Sequence, residues 1–240
     1  MEDSGAPPPA AVLSRVVPWR HAFAWYEEAM RLFKFAPRTC IGLALITIVT
    51  DLALKAAPGA LSLTSEIFAP LVESSLVYAA AVADRREVPT LRLVGLPFRA
   101  GANAVLAIVA AGLVTFFAQA LAGWWIADVN LLVPEGAPPL ANSAILGILA
   151  TGVIAALPVT FVTPLVLFGR LPLHTAFAAS GYAFAQNTVP LLVFGAASLV
   201  LLAFAVLTAG LGLVLALPLW AAASYAAWKD VFDIRDPPLF

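Results

Sequence analysis

The chain has 240 residues, 62% of them hydrophobic and only 11% charged, with a mean hydropathy of +0.96. Soluble domains carry roughly 45–50% apolar and 25% charged residues, so this composition excludes a water-soluble globule and points to the bilayer as solvent. The net charge of −1 excludes a nucleic-acid binder, which needs a concentrated basic face to displace counterions, and the length suits one helical bundle rather than several domains.

Residues 1–15, MEDSGAPPPAAVLSR, open with two acids and three successive prolines. That is the reverse of a basic region followed by an apolar core, so they read as a disordered tail rather than a cleaved signal, and 16–240 as a single integral-membrane domain. Between 18 and 35, Trp19, Ala22, Phe23, Tyr26, Met30 and Phe33 fall near one helical face, while Arg20, Glu27, Glu28, Arg31 and Lys34 fall mostly elsewhere. This spacing predicts an amphipathic helix lying in the membrane interface.

A spanning helix needs about 20 apolar residues, and stretches of that kind follow at 37–57, 60–83, 102–126, 142–169, 188–207 and 212–230. The predicted fold is all-α: a polytopic membrane helical bundle of six transmembrane helices with short interfacial amphipathic helices and both termini cytoplasmic. The last two stretches lie in a 58-residue run, Leu171 to Trp228, without one Asp, Glu, Lys or Arg, and only Thr208 to Gly212 separates them. Two full spans joined by a tight turn fit this run, and so does one buried hairpin that stops short.

Lys and Arg are retained on the cytoplasmic side of a membrane, so alternate loops test the count of spans. With six spans and the N-terminus inside, Arg15, Arg20, Arg31, Lys34, Arg38, Arg85, Arg86, Arg92, Arg99, Arg170, Lys229 and Arg235 all fall inside, which is 12 of 13 basic residues, and only Lys55 falls outside. The 127–141 loop carries Asp128 and Glu135 without a basic residue, and Trp124 and Trp125 stand where an outer aromatic belt is expected. Weaker interfacial patterns at Thr90 to Arg99 and Pro172 to Asn187 suggest three copies of one unit, an interfacial helix followed by two crossings. Pro18 leads Ala22-Phe23-Ala24 as Pro172 leads Ala176-Phe177-Ala178, and Tyr78-Ala79-Ala80 closes the first copy as Tyr225-Ala226-Ala227 closes the third.

Ionisable side chains inside a membrane cost roughly 2.5–3.5 kcal/mol each on insertion scales, so those that remain demand an explanation. The candidates for an intramembrane polar site are Asp51 and Lys55, four apart in the first span, Glu66 and Glu73, seven apart in the second, and Gln119 in the third. Pro70 lies between the two glutamates and cannot donate to the carbonyl of residue 66, which opens the helix backbone locally. Carboxylates beside freed carbonyls suit a cation or proton site, with Glu73 exchanging the proton. The alternative is structural: Asp51 and Lys55 neutralise each other, Glu66 reaches the interface, and Glu73 is held by Ser74, Ser75, Tyr78 or another polar neighbour. Pro158 and Pro164 interrupt the fourth span beside Thr160 and Thr163, and Pro218 interrupts the sixth; such kinks serve transporters and inert bundles alike.

No metal or cofactor is expected. Cys40 is the one cysteine, His21 and His174 are far apart, and no phosphate loop, nucleophile elbow or HExxH occurs. Arg85, Arg86, Arg92 and Arg99 in the 84–101 loop are candidate contacts for lipid headgroups, or serve only to fix topology. These absences predict a non-enzymatic accessory, assembly or scaffold component packing against lipid, a membrane-protein partner or a second copy of itself. The rival is a small proton-coupled transporter or channel using Glu73.

The segments RLFKFAP ending at Pro37, ADRREVPTL with FRAG from Phe98 to Gly101, the pattern from Pro172 to Ser180 followed by Asn187, and the closing YAAWKDVF resemble a family of uncharacterised polytopic bacterial inner-membrane proteins. More distantly the pattern is similar to the membrane domain of bacterial glycerophosphodiester phosphodiesterases. The resemblance implies a multi-pass fold and the bacterial inner (cytoplasmic) membrane, and it carries no phosphodiesterase activity, since that chemistry resides in a catalytic domain with no counterpart here.

Overall fold

The computed structural model describes residues 14–132 and 139–235, so residues 1–13 of the expected tail and Glu135 lie outside the described residues. Those described form helices and no strand. In chain order they are α1 (His21–Phe35), α2 (Pro37–Lys55), α3 (Ser65–Asp84), α4 (Ala102–Ala127), α5 (Asn142–Ala156), α6 (Val162–Leu167), α7 (Leu173–Gln186), α8 (Thr188–Leu207) and α9 (Leu213–Val231). Short 3-10 turns at Gly59–Thr64, Leu91–Gly95, Pro97–Arg99 and Leu157–Val159 fill connections and breaks.

Five segments are long and apolar enough to cross a membrane: Pro37–Lys55, Leu61–Asp84, Ala102–Ala127, Asn142–Leu167 and Thr188–Leu207. The chain is thus compatible with a multi-pass membrane protein. The sixth expected span is helical over Leu213–Val231 but is not among the five. Its Pro218, Tyr225 and terminal Lys229-Asp230 lower its hydropathy, and most of its length from Ala216 onward is buried against protein. The turn before it is tight, with Ala209 and Gly210 both at positive φ (51° and 90°) and the Gly212 N–H donating to Thr208 Oγ1 at 2.8 Å.

Proline and glycine set several boundaries. Pro37 stands in the first turn of α2, where its missing N–H costs nothing and its fixed φ suits a helix. Gly101 precedes α4 at φ 88°, and Asp128 ends that helix in the left-handed region. The fourth apolar stretch is broken at Pro158: α5 stops at Ala156, and α6 begins at Val162. Two hydroxyls repair the break. Thr160 Oγ1 donates to Ala156 O at 3.0 Å, and Ser180 from α7 donates to Pro158 O at 2.8 Å while accepting from the Phe161 N–H at 3.2 Å.

Hydrogen bonds identify which helix ends meet. At one end the Val17 N–H donates to Asn187 Oδ1, the Arg15 N–H to Val231 O and the Leu173 N–H to Asn103 Oδ1, each at 2.8 Å, and Arg31 pairs with Asp84 at 3.2 Å. Helices α2, α4 and α8 start there and α3, α6 and α9 finish there. This basic end carries 12 of the 13 Lys and Arg residues. At the far end Lys55 meets Asp51 and Glu66, and a Cβ on Gly147 would touch Ile126 at 3.2 Å.

The core is concentrated toward the basic end. Helix α3 has 67% of its apolar window buried, against 22–33% for the other four, so it is the central post. Its Ala79, Ala80, Ala81 and Ala83 and the Ala221, Ala222, Ala223, Ala226 and Ala227 of α9 are all buried, and small side chains let two helix backbones approach closely. Phe168 caps this seam, with ring centroids 5.4 Å from Tyr78, 5.9 Å from Tyr225 and 5.5 Å from Trp228. From Glu73 toward the far end, the same helices carry Glu66, Glu73 and Trp220 instead, and the packing opens.

Helix α1 lies against α9 through Ala22, Trp25, Ala29 and Leu32. The expected apolar face divides. Ala22 turns inward, whereas Trp19, Phe23 and Met30 are 48%, 53% and 39% exposed, and Trp25, absent from that expected face, is its largest buried residue. Its indole N–H donates to Asp230 Oδ2 at 2.8 Å, which sets the rotation of the helix. Tyr26 stacks on Phe194 at 5.5 Å, and burial pushes its phenol up to about 12. The expected interfacial segment at Thr90 to Arg99 is two 3-10 turns rather than a helix, because Pro97 interrupts it.

Candidate functional site

A cavity of about 380 Å³ occupies the far half of the bundle, lined by α2, α3, α4, α5, α8 and α9. Asp51, Lys55, Glu66, Glu73 and Gln119, the five candidate polar residues, all contribute to its wall. Helix α2 supplies Thr47, Asp51 and Lys55; α3 supplies Glu66, Pro70 and Glu73; α4 supplies Gly112, Thr115, Phe116 and Gln119. Leu149 and Gly152 of α5, Leu202 of α8 and Leu213, Leu217 and Trp220 of α9 complete it with apolar surface.

The polar groups are not equivalent. Lys55 Nζ lies 3.0 Å from Asp51 Oδ2 and 3.7 Å from Glu66 Oε1, at the mouth, where its side chain is 52% exposed. This ammonium neutralises part of the charge of two carboxylates, as expected for Asp51 and not foreseen for Glu66. Glu73 lies seven residues farther along α3, roughly 10 Å deeper by helix rise. Among the described residues no side chain or backbone group donates to its carboxylate. Ser74, a proposed holder, donates instead to Pro70 O at 2.8 Å, and Ser75 Oγ is buried without a partner.

A second cavity, of about 150 Å³, joins the first at Glu73 and continues toward the basic end. Both are lined by Pro70, Glu73, Gly112, Thr115 and Trp220. The inner one adds Ser74, Thr160, Thr163 and Ser224, so hydroxyls replace carboxylates on this side. It ends at the alanine seam of α3 and α9.

Two glycines shape these walls. A Cβ on Gly112 would lie 2.6 Å from Pro70 Cγ, so only glycine lets α4 close on the proline ring of α3. On α5 a Cβ at Gly152 would overlap the Gln119 side chain, which therefore rests flat across that helix. The amide has no hydrogen-bond partner among the described residues.

The four loop arginines stand elsewhere. Arg85, Arg86, Arg92 and Arg99 are exposed at the basic end, and none reaches the cavity. That end is closed by two carboxylates which the sequence reading did not single out as sites. Asp84 accepts from Lys229 Nζ, from Tyr225 Oη at 3.1 Å and from Arg31 at 3.2 Å. Asp230 accepts from Arg15, from Trp25 Nε1 at 2.8 Å and pairs with His21 Nδ1 at 2.7 Å. The only hint in sequence is that each acid follows a Tyr-Ala-Ala segment. No group of three or more His, Cys, Asp or Glu suited to a metal occurs among the described residues.

No protein-family model matches the chain, and no curated protein or solved structure is significantly similar to it.

Proposed function

We propose that this chain is a small proton-coupled transporter with six membrane crossings, both termini cytoplasmic, in the bacterial inner membrane, and that Glu73 is its coupling carboxylate. The observation that carries the reading is the position of Glu73: unpaired, midway along the central helix, where an acid-lined outer cavity meets a hydroxyl-lined inner one. A carboxylate held inside a membrane without a partner is a strong marker of ion or proton handling, since a purely structural acid would be paired. The concentration of basic residues at the sealed end supports the orientation, with the cavity mouth at Lys55 facing out.

The open far half and the closed basic half describe one side of an alternating pair. Moving between them requires α3 and α9 to part along their alanine seam, and Pro70 and Pro218 supply points at which each helix can bend. The accessory or scaffold role expected from the lack of catalytic motifs is the alternative, and the transporter reading is preferred because the cavity gathers the candidate polar residues. The proposal involves no covalent chemistry. Arg85, Arg86, Arg92 and Arg99 would hold anionic headgroups of the cytoplasmic leaflet, at about 1 kcal/mol per cation.

Proteoliposomes enclosing a pH-sensitive dye test this reading. Challenged with a panel of amines, quaternary amines, zwitterions and sugars, wild-type vesicles should show a solute-dependent change of internal pH that Glu73→Gln abolishes. Equal responses from the two proteins, or none from either, would remove Glu73 as a coupling group and with it the transporter reading.

A further inference from the structure

We infer that the outer cavity takes a small organic cation with an apolar body, an inference that rests on the cavity being the working part of the molecule. Three carboxylates, Asp51, Glu66 and Glu73, face one ammonium, Lys55. With Glu73 protonated and the other three ionised the wall carries a net charge of −1, and −2 once Glu73 gives up its proton, so it repels anions in either state. Lys55 is already a tethered cation shared by Asp51 and Glu66, and it shows what charge the mouth accommodates. Glu73, deeper and unpaired, is left for a charge that comes from outside.

The remaining wall decides the class of cation. A bare metal ion wants about six to eight oxygens at 2.0–2.6 Å, and the carboxylates here are spread along the cavity with leucines between them. A sugar or other neutral polar solute would need neutral donors and acceptors along the whole wall, and beside the charged groups and the Trp220 indole only Thr47, Thr115 and Gln119 supply them. Leu52, Leu149, Leu202, Leu213 and Leu217 offer apolar contact, and the rings of Phe116 and Trp220 line the same space. Aromatic rings attract cations as well as apolar surface. The volume of about 380 Å³ falls within the roughly 300–1,000 Å³ typical of organic-ligand sites. A monovalent ammonium carrying one aromatic or aliphatic group satisfies every wall at once.

Binding of such an ion to protonated Glu73 leaves the carboxylate ionised and paired with the ammonium, and releases one proton to the water at the mouth. No bond other than the O–H is broken, and charge is conserved: one cation enters and one proton leaves.

The test is equilibrium dialysis of the purified full chain in mild detergent against benzyltrimethylammonium, with benzenesulfonate as the anion of similar size. Saturable binding of the ammonium with one site per chain is expected, weakened at least tenfold by Glu73→Gln and measurably by Trp220→Leu, and unchanged by Glu87→Gln at the opposite end. Binding should also fall as pH is lowered, since proton and cation compete. Absence of saturable binding, equal uptake of the sulfonate, or binding indifferent to both cavity substitutions would overturn the inference. Should either substitution prevent folding, competition between the ammonium and protons on the wild-type chain decides alone. The outcomes separate the two readings. Glu73-dependent pH changes without ammonium binding would remove the organic cation but leave the transporter, whereas ammonium binding without any flux would leave a binding site and remove transport.

Discussion

The closure of the basic end depends most on Asp84, and the substitution Asp84→Ala tests it. Its carboxylate is 14% exposed and accepts from three donors on two elements: Lys229, 24% exposed, and Tyr225 on α9, and Arg31, 49% exposed, on α1. Breaking a fully buried pair costs about 3–5 kcal/mol because the surviving charge is stranded. Here Lys229 retains some access to solvent and Arg31 keeps Glu28 as an alternative partner, so the stranding is partial and the Arg31 contact contributes little. Adding a charge-assisted bond from Tyr225, worth about 1.5–3 kcal/mol, the expected loss is about 2–4 kcal/mol. For a chain of this size that corresponds to a fall of roughly 5–15 °C in the unfolding midpoint.

The assay is thermal unfolding in detergent micelles, followed by loss of the monodisperse peak, with Lys229→Met and the double variant measured alongside. If the pair is what matters, the double variant costs less than the sum of the singles by about 1–3 kcal/mol. Arg31→Ala alone should cost under about 1 kcal/mol. Additive effects, or a midpoint for Asp84→Ala within a degree or two of wild type, would refute the reasoning and with it the picture of this end as a latch.

Three further outcomes follow from the packing. Ser180→Ala removes the hydroxyl that serves both Pro158 O and the Phe161 N–H; leaving two buried backbone groups unpaired should cost about 2–4 kcal/mol, readable in the same thermal assay, and Ser180→Thr should recover part of it. Asn187, fully buried, accepts from the Val17 N–H and donates to Arg15 O and Ala183 O, so Asn187→Leu should release the segment before α1, and limited proteolysis should cut near Arg15 or Arg20 several-fold faster than in wild type. Gly112→Leu would force a side chain into the Pro70 ring; overpacking of this kind costs about 1–3 kcal/mol, and the displaced α4 should slow thiol labelling of a Leu217→Cys reporter in a Cys40→Ala background.

What could be read in the sequence follows from what hydropathy records. The stretch at 188–207 matches its helix because an apolar run starts after Asn187 and ends at Thr208, and Pro37 marks the first residue of α2 because the first turn is where a proline costs a helix nothing. Hydropathy does not tell lipid from protein as the apolar neighbour, so the segment at 212–230 could be recognised as a helix but not as the one enclosed by α1, α2 and α3. For α1 the period was legible and the phase was not. Aromatic residues stand on two faces, and it is the bond from Trp25 to Asp230, a partner 205 residues away, that selects which face turns inward.

The same division holds at the cavity. Asp51 and Lys55 pair through a spacing of four on one helix, which any reader can see. Glu66 joins them only because the turn at Gly59–Thr64 returns α3 alongside α2. Trp220 and Ser224 come from α9 and Thr160 from the break between α5 and α6, segments whose lateral order no hydropathy profile encodes, and the bonding role of Ser180 is hidden because its partners are backbone groups at that break.

The placement of α1 on α9 bears on how the chain is made. The indole of Trp25 waits for a carboxylate 205 residues downstream, and at about 5–20 residues per second that interval is roughly 10–40 s of synthesis. Throughout it, Ala22, Trp25, Ala29 and Leu32 lack α9, the helix against which they chiefly pack, and Trp19 and Phe23 on the other side of the helix already favour the headgroup layer. The nascent first helix can therefore rest on the membrane surface with either face down. Arrival of the last helix then rolls it into place, so that the order of translation makes α9 the piece that locks a bundle otherwise assembled.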